Sequence, residues 1–297
     1  MPNAFEAWST RIAGSTPALL QWAQQQSAAG HSPQALAASM RQTGWAEPVV
    51  QGVLHWLTQA PPATTAATAA APSAPTDTQP ALPGPNLQGN PLELDAGDRR
   101  VQVLMSMQHP RIVLLGNVLS PQECAQIIAD ARPAMARSRT VATHSDHEEI
   151  NPDRTSDGMF FQRGETPTVA LLEARLAKLL QWPLENGEGL QVLNYRPGAE
   201  YKPHHDYFDP KEPSSAAILR RGGQRLGTLV IYLNDTPAGG CTYFPETQLR
   251  IHPRQGNAVF FSYAQPQPHT LTLHGGDPVE QGEKWIATKW LRTHAFH

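Results

Sequence analysis

Three things are scarce in this chain. It has only two cysteines, Cys124 and Cys241, in 297 residues, too few for a disulfide framework or a four-cysteine zinc site. Both are expected as reduced, partly buried thiols. It has no basic excess: 23 Lys+Arg stand against 26 Asp+Glu, a formal charge of −3, which disfavours electrostatic binding to nucleic acid or to an anionic membrane. No apolar run approaches the ~18 residues needed to cross a bilayer, and Met1-Pro2-Asn3-Ala4-Phe5-Glu6 has neither a basic n-region nor an apolar h-region. The expectation is a soluble cytoplasmic protein whose partners are small molecules or proteins, with no nucleic-acid or membrane partner.

Proline, by contrast, is plentiful and unevenly placed. Gln59 to Pro91 holds eight prolines and one charged residue, Asp77, and such a composition buries too little apolar surface to offset the entropy of ordering. The expected layout is therefore a small helical module at 1–58, an Ala/Pro/Thr-rich linker at 59–98 and a larger domain at 99–297. In the first part, Ser15-Thr16-Pro17, Ser32-Pro33 and Glu47-Pro48 each set a cap-like or acidic residue before a proline suited to a first helical turn. Apolar residues then recur at helical spacing, as in Val49, Val50, Val53, Leu54 and Leu57. With two acids and two bases the module is neither a nucleic-acid arm nor a charged tail, and it is expected to be a packing or dimerisation element or to bind a substrate or protein partner.

Beyond the linker, short β-prone runs dominate: Val101–Leu104, Arg111–Leu115, Leu190–Tyr195, Thr228–Leu233, Ala258–Tyr263, His269–Leu273 and Trp285–Leu291. Two helices support them. One opens at the capping box Ser120-Pro121-Gln122-Glu123, and the other follows Thr166-Pro167 with a leucine-rich face. This pattern predicts a mainly β fold with supporting helices, a double-sheet jelly roll whose mouth is the usual ligand site, preceded by an all-α module.

A His-x-Asp pair is weak by itself, since the composition yields roughly 0.4 of them by chance. His144-Ser145-Asp146 lies in the polar run Thr143 to Asp157 and reads as a solvated loop. His204-His205-Asp206 follows an apolar run and a turn, and on an extended segment His204 and Asp206 would share one face. A third ligand should come from a distant strand, for which His274 is the best candidate. Ten residues on, Lys284 opens an apolar run in which a buried ammonium would require an anionic partner. Two imidazoles and one carboxylate leave about three positions of a metal open, an arrangement that favours iron over zinc.

These segments also resemble a known family. Leu190–Tyr195 with Gly198, Tyr201-Lys202-Pro203-His204-His205-Asp206-Tyr207-Phe208, Gly239-Gly240-Cys241-Thr242-Tyr243-Phe244-Pro245, His274-Gly275-Gly276-Asp277-Pro278-Val279 and Gly282-Glu283-Lys284-Trp285 look like the catalytic core of the prolyl 4-hydroxylase group of Fe(II)/2-oxoglutarate-dependent dioxygenases. Arg154-Thr155-Ser156 and Pro110-Arg111-Ile112 match its upstream elements, and the resemblance spans about 99–297. It implies a double-stranded β-helix, with His204, Asp206 and His274 as iron ligands and catalytic centre. It further implies that Lys284, Tyr195 and Thr242 hold the cosubstrate carboxylate, and that Arg225 and Trp290 line the substrate side. The implied cofactors are Fe(II), 2-oxoglutarate, O2 and L-ascorbate as reductant. The implied reaction is C4 hydroxylation of a prolyl residue in a peptide or protein, with release of succinate and CO2. The alternatives are a hydroxylase of free proline, another amino acid or a different protein side chain, and a non-enzymatic metal-binding scaffold. Cys241, His205 and the run Gly275-Gly276-Asp277 depart from the family's usual residues, and the loop Thr143 to Asp153 is expected to close over substrate as a lid.

Overall fold

The structure is a computed structural model that describes residues 12, 15, 17–28, 32–42, 45–59, 82–137, 139–141, 148–150 and 154–297. The chain divides into two compact units, Met1–Asp77 and Thr78–His297. In the first, helices α1 (Pro17–Ala28), α2 (Pro33–Gln42) and α3 (Glu47–Gln59) start at or beside the three prolines that follow cap-like residues. They close on a small core in which Leu20, Ala23, Met40, Val50, Val53 and Trp56 are buried.

The second unit is built on an antiparallel nine-stranded sheet. Its strands are β1 (Glu93–Asp95), β2 (Arg100–Met107), β3 (Arg111–Gly116), β4 (Ala136–Arg137), β7 (Asp157–Phe161), β8 (Leu190–Tyr195), β10 (Arg225–Tyr232), β14 (Ala258–Ser262) and β17 (Lys284–Arg292). They lie side by side in the order β1-β2-β3-β14-β10-β17-β8-β7-β4. A second sheet runs β13 (Leu249–Ile251), β12 (Thr242–Phe244), β15 (His274–Gly276) and β9 (Tyr201–His204). Two short pairs complete the strands: β5 (Arg139–Val141) with β6 (Glu148–Ile150), and β11 (Ala238–Gly239) with β16 (Val279–Gln281). The fold is mainly β, as the sequence predicts.

Two cores flank the large sheet. Helices α4 (Pro121–Ala131) and α5 (Pro167–Leu179) cover one face, where Cys124, Ile127, Leu172, Leu176, Val192 and Ala287 pack together. On the other face Leu193, Tyr195, Val230, Ile286, Phe244 and Phe261 form a second cluster shared with the small sheet. Strands β8, β10 and β17 are thus covered on both sides, which is why they read as nearly continuous apolar runs. Both helix starts are locally encoded. Ser120 accepts from the Glu123 backbone N–H while the Glu123 carboxylate accepts from that of Ser120, and Thr166 caps α5 by accepting from Val169.

Three expectations need correction. Residues 82–98 belong to the second unit rather than to a linker: β1 pairs with β2, the Pro83 carbonyl accepts from Arg111, and the Gly84 N–H donates to Leu180. Proline-rich composition predicts an extended chain, and this one is extended but docked. The run His269–Leu273 is not a strand: a 3-10 turn over Pro268–Thr270, with Leu271 left-handed at φ 54°, precedes β15, which starts at His274. The alternation of Thr and Leu imitates a strand where Pro266 and Pro268 remove two backbone donors. Finally, β9 ends at His204, so Asp206 lies in the bend beyond it rather than on the same strand. The core of the expected lid, residues 142–147 and 151–153, lies outside the described residues, as does most of the linker.

Candidate active site

The two histidines are placed by the small sheet. His204 ends β9 and His274 begins β15, and the two are direct cross-strand partners with ring centroids 4.4 Å apart. Each ring is fixed the same way: the His204 Nδ1 lies 3.0 Å from the Lys202 carbonyl, and the His274 Nδ1 lies 2.9 Å from that of Thr272. A carbonyl only accepts, so Nδ1 carries a hydrogen, and in the neutral ring Nε2 is then the atom with the lone pair. Both Nε2 atoms face Asp206, 3.5 Å from Oδ1 and Oδ2 respectively.

The three ligand atoms lie within 4.8 Å of one another, and among the described residues no other group of His, Cys, Asp and Glu does so. Asp206 is buried and accepts from the Thr228 hydroxyl at 2.7 Å, which in turn lies 3.1 Å from the Tyr263 hydroxyl. Burial alone would raise its carboxyl pKa, but His274 and His204 beside it hold it far below the usual carboxylate range. Burial pushes His274 down to about 4, with His204 adding to the shift. At neutral pH His274 is therefore a neutral imidazole and Asp206 a carboxylate, and with the His204 ring beside them they form a donor set of the kind a divalent metal takes.

The trio lines a pocket between the two sheets. Alternate residues of β8 (Gln191, Leu193, Tyr195) and β17 (Lys284, Ile286, Thr288, Trp290) form its large-sheet wall. Lys284 and Tyr195 are cross-strand partners, with the ammonium 5.3 Å from the ring centre. Lys284 is 3 % exposed, burial pulls its pKa down to about 8, and among the described residues no carboxylate lies within ion-pair distance. Space is kept for one: a Cβ on Gly276 would lie 3.6 Å from the ammonium nitrogen, and one on Gly240 would press to 3.2 Å from the Lys284 Cδ. Thr242 sits opposite Gly276 and accepts from the Tyr232 hydroxyl at 2.9 Å, which leaves its own hydrogen to donate into the pocket. A buried cation without an acid, flanked by hydroxyls, is a receptor for a carboxylate.

The sequence matches the family described as the 2OG-Fe(II) oxygenase superfamily over residues 190–292, from β8 to the end of β17. Prolyl 4-hydroxylase 5 of Arabidopsis thaliana is 35% identical over 221 residues, covering 67% of this chain and 74% of that protein. Prolyl 4-hydroxylase 1 of the same plant is 40% identical over 203 residues, covering 63% and 70%. The chain belongs to the prolyl 4-hydroxylase group of the 2OG-Fe(II) oxygenases. Among solved structures it resembles the viral collagen prolyl hydroxylase of Paramecium bursaria Chlorella virus 1 in its 2OG complex, at 30% identity and a TM-score of 0.48 over 61% of this chain and 95% of that one. The family match, the two plant relatives and the His204–Asp206–His274 trio make it a 2-oxoglutarate-dependent dioxygenase, with Fe(II) and 2-oxoglutarate as metal and cosubstrate.

Seven of the eight sequence-predicted site residues line the pocket of this oxygenase: His204, Asp206, His274, Lys284, Tyr195, Thr242 and Trp290. Arg225 does not. It stands behind the wall, its guanidinium 4.0 Å from the Trp290 ring centre and doubly bonded to the buried Glu188 at 2.6 and 2.9 Å. Arg154, Gln191 and Tyr201 line the pocket without having been singled out. Arg154 is buried and bridges to Tyr201, whose ring stacks on His204 at 3.7 Å. The signal for Arg154 is the Arg-Thr-Ser element, whose arginine turns inward. Of the family departures, Cys241 packs its sulfur 3.3 Å from the His252 Nδ1, and burial raises its pKa.

Proposed function

We propose that this chain hydroxylates C4 of prolyl residues in a peptide or protein, with His204, Asp206 and His274 holding Fe(II), and Lys284, Tyr195 and Thr242 holding the far carboxylate of 2-oxoglutarate. The observation that carries it is one pocket holding both a two-His, one-carboxylate face, with Asp206 and His274 buried and His204 half-buried, and a buried ammonium with no acid in ion-pair reach among the described residues. When bound, the iron and the 2-oxo acid supply the oxidising power for C–H hydroxylation, with succinate and CO2 as by-products.

The chain's own residues bind, orient and exclude water. The backbone carbonyls of Lys202 and Thr272 keep both imidazoles in the tautomer that directs Nε2 to the metal. Thr228 occupies one carboxylate oxygen of Asp206, restricting its rotation. Lys284 fixes the cosubstrate end by a charge-assisted contact, and the apolar wall of Leu193, Val230 and Ile286 keeps the site dry. Trp290, pinned by Arg225, forms the substrate-side wall. Ascorbate is the proposed reductant that would keep bound iron as Fe(II), and the helical unit is assigned to recruitment of the target protein.

The test is succinate release with Fe(II), 2-oxoglutarate and Pro-containing peptides. Peptide-stimulated turnover with a hydroxyl at proline C4, lost in His274→Ala, is expected. Stimulation by free proline but not by peptides would reject the peptidyl assignment. Loss of target binding on removal of residues 1–81, with basal 2-oxoglutarate turnover kept, is the outcome expected for recruitment.

A further inference from the structure

Of the three metal-facing side chains, Asp206 is the one that the sheets do not place. His204 and His274 are fixed by the β9–β15 ladder, whereas Asp206 lies beyond the end of β9. Its carboxylate is held by Thr228, and its backbone carbonyl accepts from the Arg225 guanidinium at a long 3.3 Å. The stronger attachment of this bend comes two residues later, at Phe208.

There the Gln224 side chain closes a two-way clamp. Its Nε2 donates to the Phe208 carbonyl at 2.7 Å, and its Oε1 accepts from the Phe208 N–H at 2.9 Å and from the Arg225 N–H at 3.0 Å. The amide orientation follows from these partners, since only the nitrogen can donate to a carbonyl. The corner carrying Gln224 is anchored in turn. The N–H groups of Thr293 and His294 donate to the Gln224 and Gly222 carbonyls, and the Arg292 guanidinium donates to that of Gly223. Gly223, at φ 75°, leaves no room for a side chain, because a Cβ would fall 1.8 Å from the Thr293 hydroxyl. The Phe208 ring lies 4.7 Å from the Arg225 guanidinium and 5.0 Å from that of Arg292.

We propose that Gln224 is a positioning residue for the metal site: through the Phe208 backbone it ties the bend carrying Asp206 to the corner carrying Arg225. The carboxylate ligand and the Arg225-backed Trp290 wall are thereby held at a fixed separation. The inference rests on the assignment of Asp206 as an iron ligand. A clamp lost here lets the carboxylate swing away from the two imidazoles while the Lys284 end of the pocket, built on β17 and β8, keeps its shape.

The experiment is Mn(II) titration of the full-length metal-free protein, comparing the parent chain with Gln224→Met, which keeps the length and removes all three bonds, and with Gln224→Glu, which removes only the donor. Outer-shell losses of this kind cost about tenfold or more in metal affinity, and at least that is expected for Gln224→Met. At saturating metal the 2-oxoglutarate KM should stay within about twofold of the parent value, while succinate formed per hydroxylated peptide rises. A merely structural role would lower the melting temperature and leave both metal affinity and coupling unchanged, and that result in either folded variant overturns the proposal. Should Gln224→Met fail to fold, Gln224→Glu decides alone. A parent protein without saturable Mn(II) binding would overturn the metal assignment together with this inference, whereas a binding parent with equally binding variants overturns the inference alone.

Discussion

Lys284 is the side chain whose charge has least support from its surroundings: it is buried, contacts the Tyr195 ring and has no acid in ion-pair reach among the described residues. Its ammonium is stabilised when a carboxylate enters. Lys284→Ala is therefore expected to raise the 2-oxoglutarate KM by about 10- to 100-fold, the worth of a hydrogen bond to a charged group, with Mn(II) affinity unchanged. Because burial brings its pKa down to about 8, the cation that binds cosubstrate is lost above that pH. The KM should rise roughly fivefold from pH 8 to pH 9, and a flat profile would contradict this role. His274 gives the opposite window. Its imidazole is held neutral down to about pH 4 in the folded chain, against ~6.5 for an unfolded one. Between these values the unfolded state binds more protons, so stability falls as pH falls. The metal-free protein should lose on the order of 3 kcal/mol from pH 7 to pH 4 at this site. Urea melts of the parent and of His274→Phe would read the difference, the variant showing the weaker pH dependence.

At the scale of elements, what was legible in the sequence was what neighbours in the chain decide. Ser120-Pro121-Gln122-Glu123 and Thr166-Pro167 mark helix starts because a cap bonds three residues away. β8 and β17 stand out because both of their faces are buried and most of their residues are β-prone or apolar. What was not legible depends on distant partners. Pro83 and Gly84 dock through Arg111 and Leu180, and Arg225 turns from the pocket because Glu188 takes its guanidinium. Likewise the strand of His274 starts where its pairing with His204 begins, which no local pattern marks. The same holds for Lys289, on the back of β17, whose ammonium is buried against Glu173 of α5 at 2.5 Å and against the Glu188 carbonyl. Removing one charge of such a pair strands the other, so Glu173→Ala should cost about 3–5 kcal/mol in urea unfolding. The double variant Glu173→Leu with Lys289→Met should recover most of that loss; a double variant as unstable as the single one would mean that packing, not the unpaired charge, sets the cost.

At the scale of the whole chain, the boundary of the second unit lies before Leu82 rather than at residue 99. Residues 82–98 supply β1, the Asp95 and Asp98 carboxylates that pair with Lys178 and Arg175, and the Pro83 carbonyl. Arg175 is 1 % exposed at its side chain and would keep only Glu123 and the Val118 carbonyl after a cut at 99. A chain of 82–297 is expected to fold and to turn over 2-oxoglutarate at the parent's basal rate. One of 99–297 should melt several degrees lower or aggregate through the exposed edge of β2. Equal melting temperatures for the two would return residues 82–98 to the linker.

Strand β17 places Lys284 and Trp290 on one face of a single extended segment, with Ile286 and Thr288 between them. At about 3.3 Å per residue, six steps set roughly 20 Å between the cosubstrate anchor and the far wall. The strand is a ruler. The combined length of the cosubstrate and the substrate ring that meets it is capped by a distance fixed in covalent geometry, which no loop movement can lengthen. A one-residue insertion directly after Lys284 would turn Trp285, Ala287, Lys289 and Leu291 inward, whereas changes in the turns at either end would leave the measure intact. Diversification of the substrate range of this scaffold is thus confined to what borders the ruler.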